Sequence, residues 1–177
     1  MKIGVLAVQG AFIEHEHIIE KIGHEVVEIR QRKDLDGIDG IILPGGESTV
    51  QGQLLRKLDM LATIKSLIAD GLPTLATCAG LILLAGHIDN DDSVHIGTLP
   101  VTVKRNAYGR QLGSFVRTAP MKGFDEFPMI FIRAPYISSI KDNVDVLAAV
   151  NDRIVAVQYN NQIGLAFHPE LSGDTRI

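Results

Sequence analysis

Cys78 is the only cysteine in the 177-residue sequence, and its neighbours suit a reactive thiol. It stands in Ala76-Thr77-Cys78-Ala79-Gly80, between one apolar stretch that predicts a short strand and another that predicts a helix. Small neighbours permit the strained strand-to-helix turn that presents a nucleophile, and the amides and dipole of the following helix favour a thiolate. The same pentapeptide is also typical of a small, buried and unreactive cysteine.

A histidine and a carboxylate stand two positions apart in His168-Pro169-Glu170. In an extended chain, side chains at i and i+2 project from the same face, and Pro169 biases His168 away from helical angles. A histidine oriented by a carboxylate is suited to act as the general base for a nucleophile. The tripeptide alone is also typical of a solvated turn, but together with Cys78 it predicts a Cys-His-Glu catalytic triad.

A glycine pair, Gly45-Gly46, follows another predicted strand. Attack on an amide produces a negatively charged oxygen, which is stabilised by backbone N–H donors turned toward it. We therefore predict an oxyanion hole formed by Gly45, Gly46 and the N–H of Ala79. The segment is also typical of an ordinary strand-to-helix loop in which Ser48 or Thr49 caps the helix.

Arginine occurs in two further segments, 105–111 (RNAYGRQ) and 131–135 (FIRAP). Arginine binds carboxylates through paired N–H groups, and an amino-acid substrate carries a carboxylate. Arg105 and Arg133 are therefore candidate substrate contacts, although the patch is also typical of a charged surface loop. We predict no metal site, because His15 and His17 face different sides of a predicted helix.

Composition narrows the class of protein. The chain is 46% hydrophobic and 21% charged, which is ordinary for a globular domain, and its net charge of −4 comes without a basic block that could bind nucleic acid. A single cysteine excludes an intramolecular disulfide and suits a reducing compartment. The N-terminus is too short and interrupted for a signal peptide, and no apolar run reaches the ~18 residues of a membrane span. We expect one cytoplasmic domain covering residues 1–177.

The elements that must position these residues alternate in the first half of the chain. Apolar runs predict strands at 3–8, 26–29, 40–43 and 74–77, and helical spacing predicts helices at 11–22, 60–68 and 78–85. After residue 93, short strands are predicted at 101–104, 113–118, 129–133, 146–150, 154–158 and 162–167. This pattern indicates an α/β layered domain whose second half is rich in strands and partly antiparallel.

The motifs together resemble the class I, or triad, glutamine amidotransferases. More narrowly, they are similar to the glutaminase subunits of two-component pyridoxal 5'-phosphate synthases. The matching segments are spread in the family's order over nearly the whole chain: 4–11, 43–49, 77–80, 105–111, 131–135 and 168–171. The cysteine elbow and His-Pro-Glu belong to the broad class, whereas 9–11, 105–111 and 131–135 point to the narrower family.

The resemblance implies a flavodoxin-like three-layer αβα sandwich with a mixed, mostly parallel central sheet. It also implies that Cys78 is the nucleophile, that His168 is the base and then the acid for the leaving ammonia, and that Glu170 orients the imidazole. The substrate would be L-glutamine. The residues that would hold it are Gly46, Glu47, Ser48, Arg105, Ile132 and Arg133.

The resemblance also implies a partner. Ammonia would pass to a barrel-shaped synthase subunit that uses pentose and triose phosphates, in a hetero-oligomer, and the glutaminase itself would need no cofactor. Docking of that subunit would switch on the glutaminase, plausibly by rearranging the Gly45-Gly46 loop. The sequence departs from the family in having Ala76 where many elbows have glycine. It also stops at Ile177, where relatives usually continue into a closing helix.

Three alternatives stay open. One is a glutaminase of the same class that serves imidazole or nucleotide synthesis, which the narrower segments disfavour. Another is a silent binding or regulatory module, which would not need Cys78, His168 and Glu170 together. The third is a cysteine peptidase or a general amide hydrolase.

Overall fold

A computed structural model describes residues 1–105 and 113–177, which form twelve strands and four α-helices. The strands are β1 (Lys2–Leu6), β2 (Glu25–Ile29), β3 (Gly40–Leu43), β4 (Thr74–Thr77), β5 (Ala85–Ile88), β6 (Leu99–Lys104), β7 (Ser114–Met121), β8 (Phe124–Ile132), β9 (Tyr136–Ile140), β10 (Asp145–Val150), β11 (Arg153–Tyr159) and β12 (Gln162–Leu165). The helices are α1 (Phe12–Lys21), α2 (Ser48–Lys57), α3 (Leu61–Ala69) and α4 (Ala79–Leu84). Short 3₁₀ turns cover Arg32–Leu35 and Pro169–Leu171.

One large sheet organises the molecule, in the order β2-β1-β3-β4-β12-β11-β9-β6-β5, with β10 paired to β11. The first five strands in this order, β2, β1, β3, β4 and β12, are parallel to one another. Beyond β12, the pairs β12–β11, β11–β9 and β9–β6 are antiparallel, and β5 runs parallel to β6. Strands β7 and β8 form a separate antiparallel hairpin. The predicted α/β fold with a mixed, mostly parallel sheet is confirmed.

Helices cover both faces of the parallel half. Successive side chains of a strand point to opposite faces, and in β3 this places Ile41 and Leu43 in the main core while Ile42 joins a smaller cluster with Val5 and Ile19. The smaller cluster is the contact of the sheet with α1, and the main core includes residues of α2, α3 and α4. The result is the predicted three-layer arrangement.

The sequence pattern missed strands β5 and β9. Gly86 and His87 of β5 are exposed, and so are Ser138 and Ser139 of β9, so neither strand carries the continuous apolar run that marks a doubly covered strand. Both pair with β6, β5 in parallel and β9 in antiparallel orientation, and this pairing rather than their own composition selects the extended form.

The parallel half brings the predicted site residues to one edge. Carboxyl ends of parallel strands meet at the same edge of a sheet, which is where open α/β folds bind ligands. Gln9-Gly10 follows β1, Gly45 follows β3, Cys78 follows β4 and His168 follows β12.

Candidate active site

Cys78 occupies the predicted sharp turn between β4 and α4. Its backbone angles are φ 48° and ψ −100°, a left-handed conformation that costs about 1–3 kcal/mol for a residue other than glycine. The turn fits closely against β3, because a Cβ at Gly80 would lie 2.0 Å from the carbonyl oxygen of Leu43. The N–H of Cys78 donates to Leu165 O at 2.8 Å, so the turn is also tied to β12.

His168 and Glu170 lie side by side, as the i, i+2 spacing predicts. His168 Nδ1 is 2.6 Å from Glu170 Oε1, and both residues are buried. The backbone N–H of His168 donates to Ile130 O at 2.8 Å, which anchors the end of β12 to β8. Cys78 and His168 line the same cavity, and the cysteine side chain is close enough to act on the pKa of the imidazole. The structure therefore brings the three predicted triad residues into one contact series.

The electrostatics of this series favour a charged imidazole. Burial lowers the pKa of His168, but hydrogen bonds to Cys78 and Glu170, with the charges of both groups, outweigh burial and raise the pKa to about 10. His168 therefore holds its proton at neutral pH. In general, an imidazolium beside a cysteine stabilises the thiolate, and the thiolate is the reactive form of that residue.

The predicted oxyanion loop lies against His168. A Cβ at Gly45 would be 2.4 Å from His168 Cε1, so only glycine leaves room for the ring in this position. Two glutamines brace the loop. Gln51 Nε2 donates to Gln9 O at 3.0 Å and to Pro44 O at 3.3 Å, and the N–H of Glu47 donates to Gln9 Oε1 at 2.8 Å.

The cap of α2 differs from the alternative that the sequence offered. Neither Ser48 nor Thr49 supplies the cap; Glu47 is the N-cap, and its carboxylate accepts hydrogen bonds from the N–H groups of Thr49 at 3.3 Å and Val50 at 3.1 Å. A carboxylate suits this position because it also complements the positive end of the helix dipole. Ser48 is instead buried in the first turn.

A cavity of about 540 Å³ opens at this edge of the sheet. Its walls combine the thiol, the imidazole, the glycine loop and both predicted arginines, whereas Glu170 lies behind the imidazole and outside the lining. The lining residues are Gln9, Ala11, Gly45, Gly46, Glu47, Ser48, Cys78, Ala79, Ile82, Arg105, Ile132, Arg133, Pro135 and His168. All the predicted substrate and oxyanion residues therefore share one cavity.

The two arginines of the cavity differ in burial: Arg105 is partly buried and Arg133 is exposed. Arg105 Nη1 pairs with Asp91 Oδ2 at 3.1 Å, while its Nε and Nη2 atoms are buried and have no hydrogen-bond partner within residues 1–105 and 113–177. Arg133 is exposed, with φ 44° at the end of β8. Positions 106–111 of the predicted arginine segment lie outside the described residues.

Sequence reasoning missed two polar residues that support the site. Gln51 is fully buried under the glycine loop, and His15 lies on α1 with Nε2 3.3 Å from Thr77 Oγ1 and 3.5 Å from Glu170 Oε2. A signal for His15 was available. It lies four positions before the buried Ile19, which puts it on the inward face of the helix.

The described residues contain neither a candidate metal site nor a candidate membrane-spanning helix. In the chain without 106–112, no three His, Cys, Asp or Glu side chains are grouped so that they could hold a metal ion. None of the helices there has the length and apolar character needed to cross a membrane.

Comparison with known proteins gives a consistent result. The model of the SNO glutamine amidotransferase family matches residues 5–177. The chain is 59% identical over 178 residues to the pyridoxal 5'-phosphate synthase subunit PdxT of Desulfitobacterium hafniense (strain DSM 10664 / DCB-2), covering 100% of this chain and 89% of that protein. It is 51% identical over 181 residues to the subunit of the same name from Streptococcus pneumoniae (strain ATCC 700669 / Spain 23F-1), covering 100% of this chain and 94% of that protein.

A solved structure supports the same relationship. The crystal structure of a glutamine amidotransferase matches with a TM-score of 0.94 at 38% sequence identity, covering 98% of this chain and 93% of that chain. The two chains therefore share one fold over nearly their full length.

Proposed function

The chain belongs to the SNO glutamine amidotransferase family, and we propose that it is the glutaminase subunit of a pyridoxal 5'-phosphate synthase, with Cys78, His168 and Glu170 as its catalytic triad. The observation that carries the proposal is the contact of one buried imidazole with both the cysteine side chain and the carboxylate. This series ends at a cavity whose ~540 Å³ falls in the usual range for small-molecule sites.

The first half of the reaction forms a thioester. The Cys78 thiolate attacks the side-chain amide carbon of glutamine, and the carbonyl oxygen becomes an oxyanion that accepts hydrogen bonds from the N–H groups of the glycine loop and Ala79. His168, which carries a proton, gives it to the amide nitrogen as the carbon–nitrogen bond breaks. Ammonia leaves, and a γ-glutamyl thioester remains on Cys78.

The second half regenerates the enzyme. His168, now neutral, takes a proton from water, and the hydroxide formed attacks the thioester carbonyl through a second oxyanion. The carbon–sulfur bond breaks, glutamate leaves, and the thiolate and imidazolium are restored. Throughout, Glu170 accepts from Nδ1 and stabilises the imidazolium. Hydrolysis uses only these groups and water, so no cofactor is required.

Substrate selection follows from the cavity walls. The α-carboxylate of glutamine suits Arg105 and Arg133, because arginine binds carboxylates in paired geometry and the buried Nε and Nη2 atoms of Arg105 have no partner among the described residues. Gly46, Glu47 and Ser48 line the same cavity and offer further contacts to the substrate, and Ile132 offers an apolar side chain to its methylene groups.

We further propose that the ammonia passes to a barrel-shaped synthase subunit in a hetero-oligomer, and that the pair works in the cytoplasm. The PdxT name of relatives up to 59% identical supports the assembly, and a single cysteine suits a reducing compartment.

The direct test is glutamate release from L-glutamine, measured with and without a pyridoxal 5'-phosphate synthase barrel subunit. We expect turnover that rises on addition of the subunit, and a loss of more than about 10³-fold in Cys78→Ala, with His168→Asn nearly as impaired. Circular dichroism provides the folding control.

Each alternative predicts a different result. Turnover indifferent to the subunit would favour another amidotransferase of the class, and hydrolysis of peptides or other amides at equal rates would favour a general hydrolase. Wild-type ammonia release by Cys78→Ala would refute the triad, and a wild-type protein inactive in every condition would favour a silent module.

A further inference from the structure

His15 lies behind the proposed triad, on the other side of Glu170 from the cavity. It is 4% exposed, on the face of α1 that packs against the sheet. Its Nε2 atom is 3.5 Å from Glu170 Oε2 and 3.3 Å from Thr77 Oγ1. Because Glu170 Oε1 is 2.6 Å from His168 Nδ1, the two carboxylate oxygens face two different histidines.

The outer oxygen of Glu170 needs a donor. The carboxylate side chain is fully buried, and Oε2 has no hydrogen-bond partner in the described part of the chain. Leaving a buried polar atom without a partner costs about 1–3 kcal/mol, and more for a charged group. His15 Nε2 lies 3.5 Å from Oε2, which is longer than a typical hydrogen bond and within ion-pair distance.

A neutral His15 can donate a hydrogen bond to Glu170 without cancelling the negative charge of the carboxylate. Burial lowers the pKa of His15, and the nearby His168 lowers it further, while Glu170 acts in the opposite direction. A neutral imidazole has one N–H. With the proton on Nε2, His15 can donate to the carboxylate and leave its negative charge available to the imidazolium of His168.

We propose that His15 is a positioning residue for glutamine hydrolysis, which holds Glu170 Oε2 so that Oε1 remains aligned with His168 Nδ1. The proposal rests on the glutaminase function above. Thr77, which directly precedes Cys78, places its Oγ1 atom 3.3 Å from the same Nε2 atom, where it is a second acceptor for the N–H. The series Cys78, His168, Glu170, His15 therefore extends the triad by one residue.

The position of α1 strengthens this assignment. The residue before the helix, Ala11, donates its N–H to Gly45 O at 3.0 Å. The same short segment therefore contacts the predicted oxyanion loop just before the helix and the Glu170 carboxylate at the end of its first turn. If position 15 served packing alone, an apolar side chain like that of Ile19, one turn later, would serve equally well.

The experiment compares His15→Leu, which removes the donor, with His15→Gln, whose amide N–H reaches a similar point. His17→Leu, at an exposed position of the same helix, is the matched control. We measure kcat and KM for glutamine with the synthase subunit present. In parallel we measure alkylation of the single cysteine by iodoacetamide, which needs no glutaminase activity.

We expect His15→Leu to lower kcat about 10- to 100-fold with little change in KM, because it disturbs part of the ~10²–10⁴-fold contribution of acid–base catalysis. Alkylation slows in parallel, His15→Gln recovers most of both rates, and His17→Leu matches the wild type. In a Glu170→Ala background, His15→Leu has little further effect, since its action passes through the carboxylate.

The proposal is overturned if His15→Leu keeps wild-type kcat and alkylation, or if His15→Gln is as impaired as His15→Leu. It is also overturned if the two losses multiply in the Glu170→Ala background. A wild type that hydrolyses no glutamine would defeat the glutaminase assignment, while the alkylation rates would still decide the positioning role.

Discussion

At the scale of the residue, the chemistry depends on how two opposed effects balance at His168. Burial alone would favour a neutral ring, yet Cys78 and Glu170 flank the imidazole and raise its pKa to about 10. The charged ring is therefore the resting form. In the proposed reaction, this one protonation state would both stabilise a thiolate and protonate the leaving amide nitrogen.

This balance predicts a pH dependence of stability. A histidine whose pKa rises from 6.5 to about 10 on folding contributes stability that is fully present below pH 6.5 and is lost as the pH rises through about 10. We expect the free energy of unfolding of the wild type, relative to His168→Asn, to be largest near pH 6 and to decline toward pH 10. Urea denaturation of both proteins across this range measures the difference. A difference that grew with pH would contradict a charged His168.

Residues of the site differ in how visible they are in the sequence. Cys78, His168 and Glu170 were predictable because local features mark them: small neighbours in one case and a two-residue spacing in the other. His15 was considered only as a metal ligand and rejected. The helical spacing indicates that His15 is buried, but its contacts with Thr77, 62 positions away, and with Glu170 leave no local pattern.

At the scale of the element, the candidate site is formed where the carboxyl ends of several strands lie next to one another. The loop after β3 packs on the residue that follows β12, and the turn after β4 is hydrogen-bonded to β12 itself. The aromatic rings of Phe131 and Phe167 pack edge to face at 5.8 Å, just before Ile132 and His168 respectively. Packing of these elements therefore sets the relative positions of Cys78, His168 and the glycine loop.

The contact between the β3 loop and His168 gives a selective test. At Gly45, the three atoms nearest to an added Cβ all belong to the imidazole of His168, and the backbone is not left-handed. Gly45→Ala should therefore displace the ring while the fold persists. We expect kcat for glutamine to fall about 100-fold, because a displacement of about 1 Å has an effect of this size.

The control is Gly113→Ala, where an added Cβ meets none of the described residues within 4 Å. We expect it to unfold at the temperature of the wild type and to change the free energy of unfolding by less than about 0.5 kcal/mol. Full activity in Gly45→Ala would mean that the ring does not occupy this position during catalysis.

At the scale of the whole molecule, the sequence predicted the class of fold better than the arrangement of its parts. Alternating apolar runs and helical spacing identified β1 to β4 and their helices, because strands covered on both faces have a distinct composition. The order of strands was not predictable. Pairing of β4 with β12, which joins Cys78 to His168, depends on contacts between Thr74–Thr77 and Gln162–Leu165 that no local pattern encodes.

The proposed function also makes a prediction for the assembled synthase. If the chain contributes only ammonia, then free ammonia should replace it, since the synthase consumes the same molecule from either source. We expect the barrel subunit with Cys78→Ala to form pyridoxal 5'-phosphate from ammonium chloride at a rate close to that of the wild-type assembly, and to form almost none from glutamine. The absorbance of the product, followed under both conditions, measures this.

Equal rates from glutamine with Cys78→Ala and the wild type would show that ammonia reaches the synthase without this thiol. A failure of both nitrogen sources, with the complex intact, would instead show that the chain contributes to the synthase reaction through more than the ammonia it releases.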